Sequence, residues 1–561
     1  MRRIWPLQKF ILLLISVFVI LPIHANKVSK DEGSKLIGYA KIRGVPAVSD
    51  KIIKTIKQLQ TNQTCETFLF WALTPFGYPD YPGLSKEDNS TIFFFKDTEK
   101  DKTPFVIVAK FLKESVVRKQ LTENGLFLNN EGDYTFISTD STIFERIKNK
   151  RLLIDFNKQS INTDIKLKIY ISGFHSKIES SKEGLLSDLT LKNFFPFFTR
   201  FFEELKSVKS VAWGLNVDDQ QMSIAQLIKA LPKTELYKFL SQKVGDTSID
   251  WARHVDAEDN ALSYVSKLDT KSNKAYTDYL FKLIIEDAIA SEKKTAPSVA
   301  KTKESKQRIS ETLKLLQKQY NKVQSESDGT IVYSAKGNGD FICMGGKNFK
   351  PSTLTEFSLF FVNTILPNFM DLSCLTLEGK VDEKFANYKG NTILRTDLIT
   401  TKKEAVTNKI IESRTSTSHA TASKGYFIMG NSQPMIEKAI DNISEKKSPK
   451  NNLSSLSRLE KNAFLSAALN MDQIIKASLE DLRKQTSQNN LAETIALLEK
   501  NPTSPITITG TMQNGSLGVD VEIPLNTIKS IIKTFSSINL NEVPEPSPEV
   551  NTAEKALVPQ K

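Results

Sequence analysis

The chain has 561 residues, of which 40% are hydrophobic and 25% are charged, and its formal net charge is +12. These ordinary fractions exclude collagen-like, mucin-like and wholly disordered chains, and the length predicts roughly three or four domains of ~150 residues each. The 3 cysteines exclude a disulfide scaffold, and the 4 histidines leave little material for a histidine-rich metal site.

The first 25 residues have the pattern of an export signal. Arg2, Arg3 and Lys9 form a basic segment, an apolar run follows at residues 10–21, and Ala25 supplies the small residue expected before a cleavage site. The apolar run is shorter than the roughly 20 residues that span a bilayer. We therefore expect cleavage, and a soluble protein in the periplasm or outside the cell. An uncleaved signal that tethers the protein to the membrane is the alternative.

Basic residues are only slightly in excess once the signal is removed, because three of them lie within it. Nucleic-acid binding calls for a concentrated stripe of Lys and Arg or for a recognition motif, and the sequence has neither. The sequence therefore predicts no nucleic-acid partner.

Several sequence elements recur in one order, and each second copy lies 291 to 298 residues after the first. The elements are a strand, a polar turn and a helix, then an alternating strand, then a hairpin, and then a proline followed by a helix. The first copies cover 134–149, 165–171, 211–219 and 231–240, and the second copies cover 426–442, 463–469, 506–515 and 523–535. This recurrence predicts an internal duplication.

Strands and helices alternate without the regular rhythm of a doubly wound fold. The pattern predicts an α+β fold of two tandem related units, each a largely antiparallel sheet with helices packed on one face. The predicted segments are a signal peptide at 1–25, a first unit at 26–287, a linker and amphipathic helix at 288–327, a second unit at 328–540 and a disordered tail at 541–561.

A short series of motifs carries a resemblance to a known group of proteins. Pro82-Gly83-Leu84 precedes strands at 92–95 and 104–108, and Ser432-Gln433-Pro434 opens a helix after the strand of the second copy. With these motifs the chain resembles exported bacterial proteins that carry a duplicated domain of unknown function. The first copy departs from the pattern, since Thr142 and Ile143 stand where the proline is expected. The resemblance implies an envelope or periplasmic location and carries over no catalytic residue.

Familiar catalytic and metal-binding motifs fail on their spacing. In the glycine-rich segment at 337–347, Phe341 stands where a phosphate-binding loop needs its first glycine, and Asn348 replaces the Ser or Thr. Pro434 stands where a nucleophile elbow centred on Ser432 needs glycine. The carboxylates beside His254 lack the spacing of a calcium loop. We therefore predict no catalytic residue, no metal ligand and no cofactor.

The most distinctive local feature is a phenylalanine-rich segment at 193–205. A helix that is apolar over so wide an arc is typically buried on both sides. The functional alternative is a patch that faces a lipid or a partner, formed by Phe194, Phe197, Phe198 and Phe201. We take this patch as the candidate binding site.

The three cysteines leave two alternatives open. Cys343 and Cys374 lie in strand-like segments and could pair, or all three thiols, including Cys65, are buried as small apolar groups. Together these features predict an exported envelope protein with a non-enzymatic binding or structural role toward a protein or lipid partner. The alternative is a periplasmic hydrolase that uses carboxylates.

Overall fold

The computed structural model describes most of the chain between residues 35 and 537. The described residues are 35–59, 84–96, 104–111, 121–123, 125–147, 149–171, 204–249, 260–290, 303–346, 348–365, 375–403, 410–445, 458–485, 490–500 and 502–537. The predicted signal peptide at 1–25 and the predicted tail at 541–561 lie outside these residues.

Eighteen strands form one sheet, in which every pair of neighbours is antiparallel. The strands of the first part of the chain are β1 (Lys35–Ile42), β2 (Ser90–Lys96), β3 (Phe105–Lys110), β4 (Phe127–Glu131), β5 (Tyr134–Ser138), β6 (Ile165–Tyr170), β7 (Val208–Val217) and β8 (Gln221–Ala230). The later strands are β10 (Asn260–Lys267), β11 (Thr330–Lys336), β12 (Phe341–Gly345), β13 (Leu375–Tyr388), β14 (Asn391–Lys403), β15 (Ile410–Ser423), β16 (Tyr426–Gly430), β18 (Ala463–Leu469), β19 (Ile506–Gln513) and β20 (Ser516–Pro524). The short strands β9 (Gly245–Ser248) and β17 (Arg458–Lys461) pair separately.

The prediction of two tandem units, each with its own sheet, is wrong. β8 pairs with β20 over its full length, so the strands of both parts of the chain belong to a single continuous sheet. Outward from β8 the order is β7, β6, β1, β2, β3, β5 and β4. Outward from β20 it is β19, β18, β10, β11, β12, β16, β15, β14 and β13. The internal duplication itself stays a prediction.

The two predicted units share one sheet for a physical reason that cannot be inferred from local sequence patterns. An unpaired edge strand exposes a row of backbone N–H and C=O groups, which a second edge strand can satisfy. β8 and β20 are the edges that two separate sheets would have left open, and they satisfy each other. Local periodicity specifies each strand but not the strand that pairs with its far side.

The helices pack on both faces of the sheet, which also corrects the expectation of one covered face. They are α1 (Val45–Leu59), α2 (Ile143–Arg146), α3 (Lys150–Lys158), α4 (Glu235–Phe239), α5 (Thr270–Ala290), α6 (Lys303–Glu326), α7 (Pro351–Phe360), α8 (Gln433–Glu445), α9 (Met471–Gln485), α10 (Asn490–Lys500) and α11 (Leu525–Ser537), and a π-helical turn at Phe361–Ile365 extends α7. Val265 packs with α8, whereas Leu469 packs with α9 and α10. Leu469 pairs with Leu262, three residues from Val265, so the two helical layers lie on opposite faces.

Apolar and β-branched residues on alternate positions build the strands and supply the core. In the first part of the chain Phe93, Val106 and Phe136 are buried beneath Ile143 of α2 and Ile154 of α3. The side chain of Asn149 caps the start of α3 by accepting a hydrogen bond from the amide of Leu152 at 3.1 Å.

One hairpin prediction is confirmed in detail. Asn514 and Gly515 form a two-residue connection between β19 and β20, and both have positive φ, at 50° and 70°. Asn and Gly tolerate this conformation, which gives the turn the twist that antiparallel neighbours need.

Candidate functional site

The phenylalanine patch predicted from the sequence lies outside the described residues. Phe194, Phe197, Phe198 and Phe201 therefore stay a prediction, and so does the loop around His254.

The part of the chain that the structure describes contains few side chains suited to thiol chemistry or to metal binding. Within it, Cys343 on β12 is a free, half-buried thiol, and burial raises its pKa to about 12. Cys65 and Cys374 lie outside it. The same residues contain no group of three or more His, Cys, Asp or Glu side chains placed to hold a metal ion. An open groove along α1 holds one carboxylate, Asp50, whereas the hydrolase alternative calls for two.

No helix in the described part of the chain combines the length and the apolar character that crossing a bilayer requires.

Three long strands at one end of the sheet form the most prominent feature of the described chain, and we call β13, β14 and β15 the arm. They have 14, 13 and 14 residues, against 10 in β7 and β8. Within β15, only His419–Ser423 pair with β16, so residues 410–418 extend beyond β16 by roughly 30 Å. β13 and β14 lie beyond β15, whereas at the opposite end no described strand lies beyond β4.

Packing on both faces holds the base of the arm. Gly379 lies against Val362 of the π-helical turn, where a Cβ atom would lie 2.6 Å from both Val362 methyl groups. On the other side the Tyr388 hydroxyl donates a hydrogen bond to Asp441 of α8 at 2.9 Å, and the Lys389 ammonium pairs with Asp441 at 2.7 Å. The outer part of the arm is therefore carried on a fixed base.

A polar cluster occupies one face of the arm between the levels of Tyr388 and Gly379, where cross-strand pairing sets Arg395 opposite His419 and Asp397 opposite Thr417. Asp397 accepts hydrogen bonds from the Arg395 Nε at 2.9 Å and from the Thr417 hydroxyl at 2.6 Å. Phe385 of β13 completes the cluster, with its ring 5.3 Å from the His419 ring and 5.3 Å from the Arg395 guanidinium.

The cluster lacks the geometry of a nucleophilic triad. The Thr417 hydroxyl donates to Asp397, and Nδ1 of His419 is buried without a hydrogen-bond partner among the described residues. Burial, followed by the charge of Arg395, lowers the pKa of His419. Although burial opposes ionisation of Asp397, hydrogen bonds from Thr417 and Arg395 lower its pKa. The carboxylate thus holds Arg395 and Thr417 in place, and the imidazole is kept neutral.

His419 makes the stability of the arm depend on pH. The pKa of its imidazole is lower in the folded protein than the ordinary 6.5, so below pH 6.5 the unfolded chain binds more protons than the folded one. Stability therefore falls as the pH drops through this window. We expect H419F to stabilise the protein by about 1 kcal/mol at neutral pH, because it removes the unpaired buried nitrogen.

The advantage of H419F over the wild type should grow on acidification, which urea unfolding at a series of pH values measures. Parallel curves for the two proteins across the window would contradict the assignment. R395Q, which removes a neighbouring positive charge and leaves the imidazole, is the control and should weaken the pH dependence without abolishing it.

The outer end of the arm presents apolar and basic side chains together. Ile410 and Ile411 are 59% and 61% exposed, the largest exposed fractions after Leu152 among the large apolar side chains described. Lys402 on the adjacent β14 is exposed, and so is Arg414, which pairs with Glu412. We call Lys402, Ile410, Ile411 and Arg414 the tip.

The outer strand β13 carries acidic and basic side chains in its central part. Glu378, Lys380, Asp382, Glu383 and Lys384 lie on it, and an irregularity in pairing with β14 falls between Asp382 and Ala386. Charged residues and bulges on edge strands oppose the addition of a further strand. A partner of the arm would therefore engage the tip in preference to the β13 edge.

Sequence reasoning missed the arm altogether. Its strands are rich in Ser, Thr and charge, so they show little of the apolar alternation that predicts a strand. The available signal was the pair Ile410-Ile411 between lysine-containing segments, which a search for apolar runs passes over.

The resemblance to exported proteins of unknown function stays a prediction. No protein family, no curated protein and no solved structure matches the chain.

Proposed function

We propose that this protein is an exported, non-enzymatic binding protein of the cell envelope that attaches to an anionic lipid surface through the tip. The observation that carries the proposal is the pair of exposed isoleucines, Ile410 and Ile411, at the end of the arm beside Lys402 and Arg414. Apolar side chains that enter the acyl boundary and basic side chains that stay at the headgroups are the two components of peripheral membrane binding. The basic segment and the apolar run within residues 1–25 support the proposal that the protein is exported.

The strength of such an attachment follows from its parts. Burial of the exposed portions of two isoleucines contributes about 1 kcal/mol each. Lys402 near an anionic leaflet contributes about 1 kcal/mol, whereas the charge of Arg414 is largely offset by its partner Glu412. The sum of about 3 kcal/mol corresponds to a dissociation constant of roughly 5 mM. Attachment through one tip is therefore weak and reversible, and a second signal would be needed to hold the protein permanently.

A protein partner is less well supported by the same surface. Specific protein interfaces bury about 800 Å² on each side around a cluster of aromatic or arginine anchors. The tip offers two isoleucines on a narrow strand pair, and the β13 edge carries charges that oppose strand addition. Insertion into a lipid surface needs neither a large area nor a shaped pocket.

Co-sedimentation with vesicles tests the proposal. We expect the full chain to sediment with vesicles of phosphatidylglycerol and phosphatidylcholine in equal parts, at millimolar lipid, and to stay in solution with pure phosphatidylcholine. The double variant I410S/I411S should lose the bound fraction, because it removes the apolar contribution and keeps the charge. High salt should release the wild-type protein, because it screens the basic residues.

The matched control is L152S/L315S, which removes two other exposed apolar side chains, at 63% and 48% exposure, from α3 and α6. It should sediment as the wild type does. Equal loss in both double variants, or sedimentation of I410S/I411S at the wild-type level, would refute the assignment of the tip. For the export part, we expect the mature chain in the envelope fraction to begin near Asn26, as read by mass spectrometry of its first peptide.

A further inference from the structure

A cluster of lysines lies on one face of the sheet near its centre, far along the chain from the arm. Lys166 and Lys168 are two residues apart on β6 and so point to the same side. Lys229 of β8 pairs with Ser210, which pairs in turn with Tyr170 of β6, so Lys229 faces the same side as Lys168. Lys209 stands at the pairing irregularity of β7 between them.

Small side chains separate the lysines. Ser210 and Ala212 of β7 are buried and lie between β6 and β8, which are roughly 10 Å apart as next-nearest strands. Four lysines thus surround a stretch of β7 with small side chains, beside Tyr170, whose ring lies 5.0 Å from the Lys168 ammonium.

These ammonium groups have no counter-charge in contact with them. Among the described residues, none of Lys166, Lys168, Lys209 and Lys229 forms an ion pair or donates a side-chain hydrogen bond. Asp520, on the same face of β20, lies opposite Ala225, roughly 13 Å along β8 from Lys229.

The proximity of these positive charges lowers the pKa values of lysines in and beside the cluster. Burial lowers the pKa of Lys168, and the charges of Lys229, Lys166 and Lys209 lower it further. Burial, followed by Lys166, which lies directly opposite on β6, lowers the pKa of Lys41 to about 8. Like charges directly opposite each other on a sheet destabilise it. A bound anion would relieve this repulsion.

We infer that this lysine cluster is a binding site for a soluble anion with several linked phosphate groups. A chain of phosphates matches the cluster in charge and in extent, because its negative groups are spaced along a few ångströms each and can meet ammonium groups on β6, β7 and β8 together. Lysine ammonium groups bind phosphate as point charges with rotatable donors and need no fixed fork geometry. The site does not depend on the proposed lipid attachment of the tip.

Titration calorimetry of the full chain with inorganic tripolyphosphate at low salt tests the inference. We expect the triple variant K166Q/K168Q/K229Q to bind at least about tenfold more weakly than the wild type, which corresponds to 1.4 kcal/mol over the three charges. The control K314Q/K318Q/K529Q removes the same charge from exposed helix positions and should bind within about twofold of the wild type.

A second readout separates lost binding from lost folding. Because repulsion is relieved, K166Q/K168Q/K229Q should melt at the same temperature as the wild type without ligand or above it, and tripolyphosphate should raise its melting temperature less. No binding by the wild type at millimolar tripolyphosphate, or equal weakening in the two triple variants, would overturn the inference.

Two further experiments distinguish a soluble phosphate ligand from a lipid or a nucleic acid. A variant of the tip, I410S/I411S, should keep full tripolyphosphate binding, which separates this site from the proposed function. If K166Q/K168Q/K229Q loses sedimentation with phosphatidylglycerol vesicles, or binding of a single-stranded oligonucleotide, and keeps its affinity for tripolyphosphate, the cluster serves lipid or nucleic acid and the inference fails.

Discussion

Replacing Lys41 with alanine should lower the free energy of unfolding by about 3 kcal/mol, one of the two largest effects we expect from a single substitution in this chain. Lys41 is 1% exposed, and its ammonium donates hydrogen bonds to the backbone carbonyls of Phe156 at 2.6 Å and Gln159 at 2.5 Å. It also lies 4.8 Å from the Phe156 ring. K41A removes this anchor and leaves a cavity at the end of α3, where each carbonyl keeps only its second donor, the Gln159 amide for Phe156 and the Asn89 side-chain amide for Gln159.

Urea unfolding of three variants measures the effect. K41M fills the space with apolar atoms and should recover part of the lost stability, because only the hydrogen bonds remain absent. K166A changes the lysine directly opposite on β6, which carries no such bonds, and should be neutral or slightly stabilising because like charges are separated. A loss in K166A as large as that in K41A would show that the anchor is not the cause.

Replacing Gly44 with alanine should also prevent stable folding or cost at least about 3 kcal/mol. Gly44 begins the connection into α1 with φ at +51°, and an added Cβ atom would lie 2.0 Å from the backbone oxygen of Lys86. A backbone oxygen cannot turn aside as a side chain does, so α1 and the segment before β2 would have to separate.

The control is Gly132→Ala in the turn between β4 and β5. Gly132 has φ at +59°, close to that of Gly44, but an added Cβ atom meets nothing within 4 Å. G132A should therefore cost only about 1 kcal/mol, the penalty of a left-handed backbone for a residue with a Cβ. Thermal unfolding of both variants isolates the close approach, and equal losses would mean that conformation alone matters at Gly44.

The features of the fold that can be predicted from the sequence are local ones. Asn514-Gly515 specifies its turn because both residues accept positive φ, and the alternation at Ile165–Tyr170 specifies a strand because side chains on a sheet alternate. Such local signals specify single elements, although they are too weak in the polar strands β13, β14 and β15. The pairing of β8 with β20 does not, because the two strands are nearly 300 residues apart and either would look the same beside another neighbour.

The candidate sites are even harder to predict from the sequence than the strand pairing. His419, Arg395 and Asp397 lie on two strands, and only the register between β14 and β15 brings them together. The lysine cluster gathers residues from β6, β7 and β8, so no stripe is visible along the chain. A lysine in a strand is ordinarily expected to be exposed. Lys41 is buried because its ammonium binds the end of α3, more than 100 residues away in the chain.

Length, composition and charge by themselves determined that the chain is an ordinary folded protein with a small basic surplus and little cysteine or histidine. That conclusion stands, because composition does not depend on how the chain is arranged. The tertiary structure decided where basic residues gather. Four lysines converge on the sheet, and Lys402 and Arg414 flank two isoleucines at the tip, because pairing between strands brings together charged residues that are separate in the sequence.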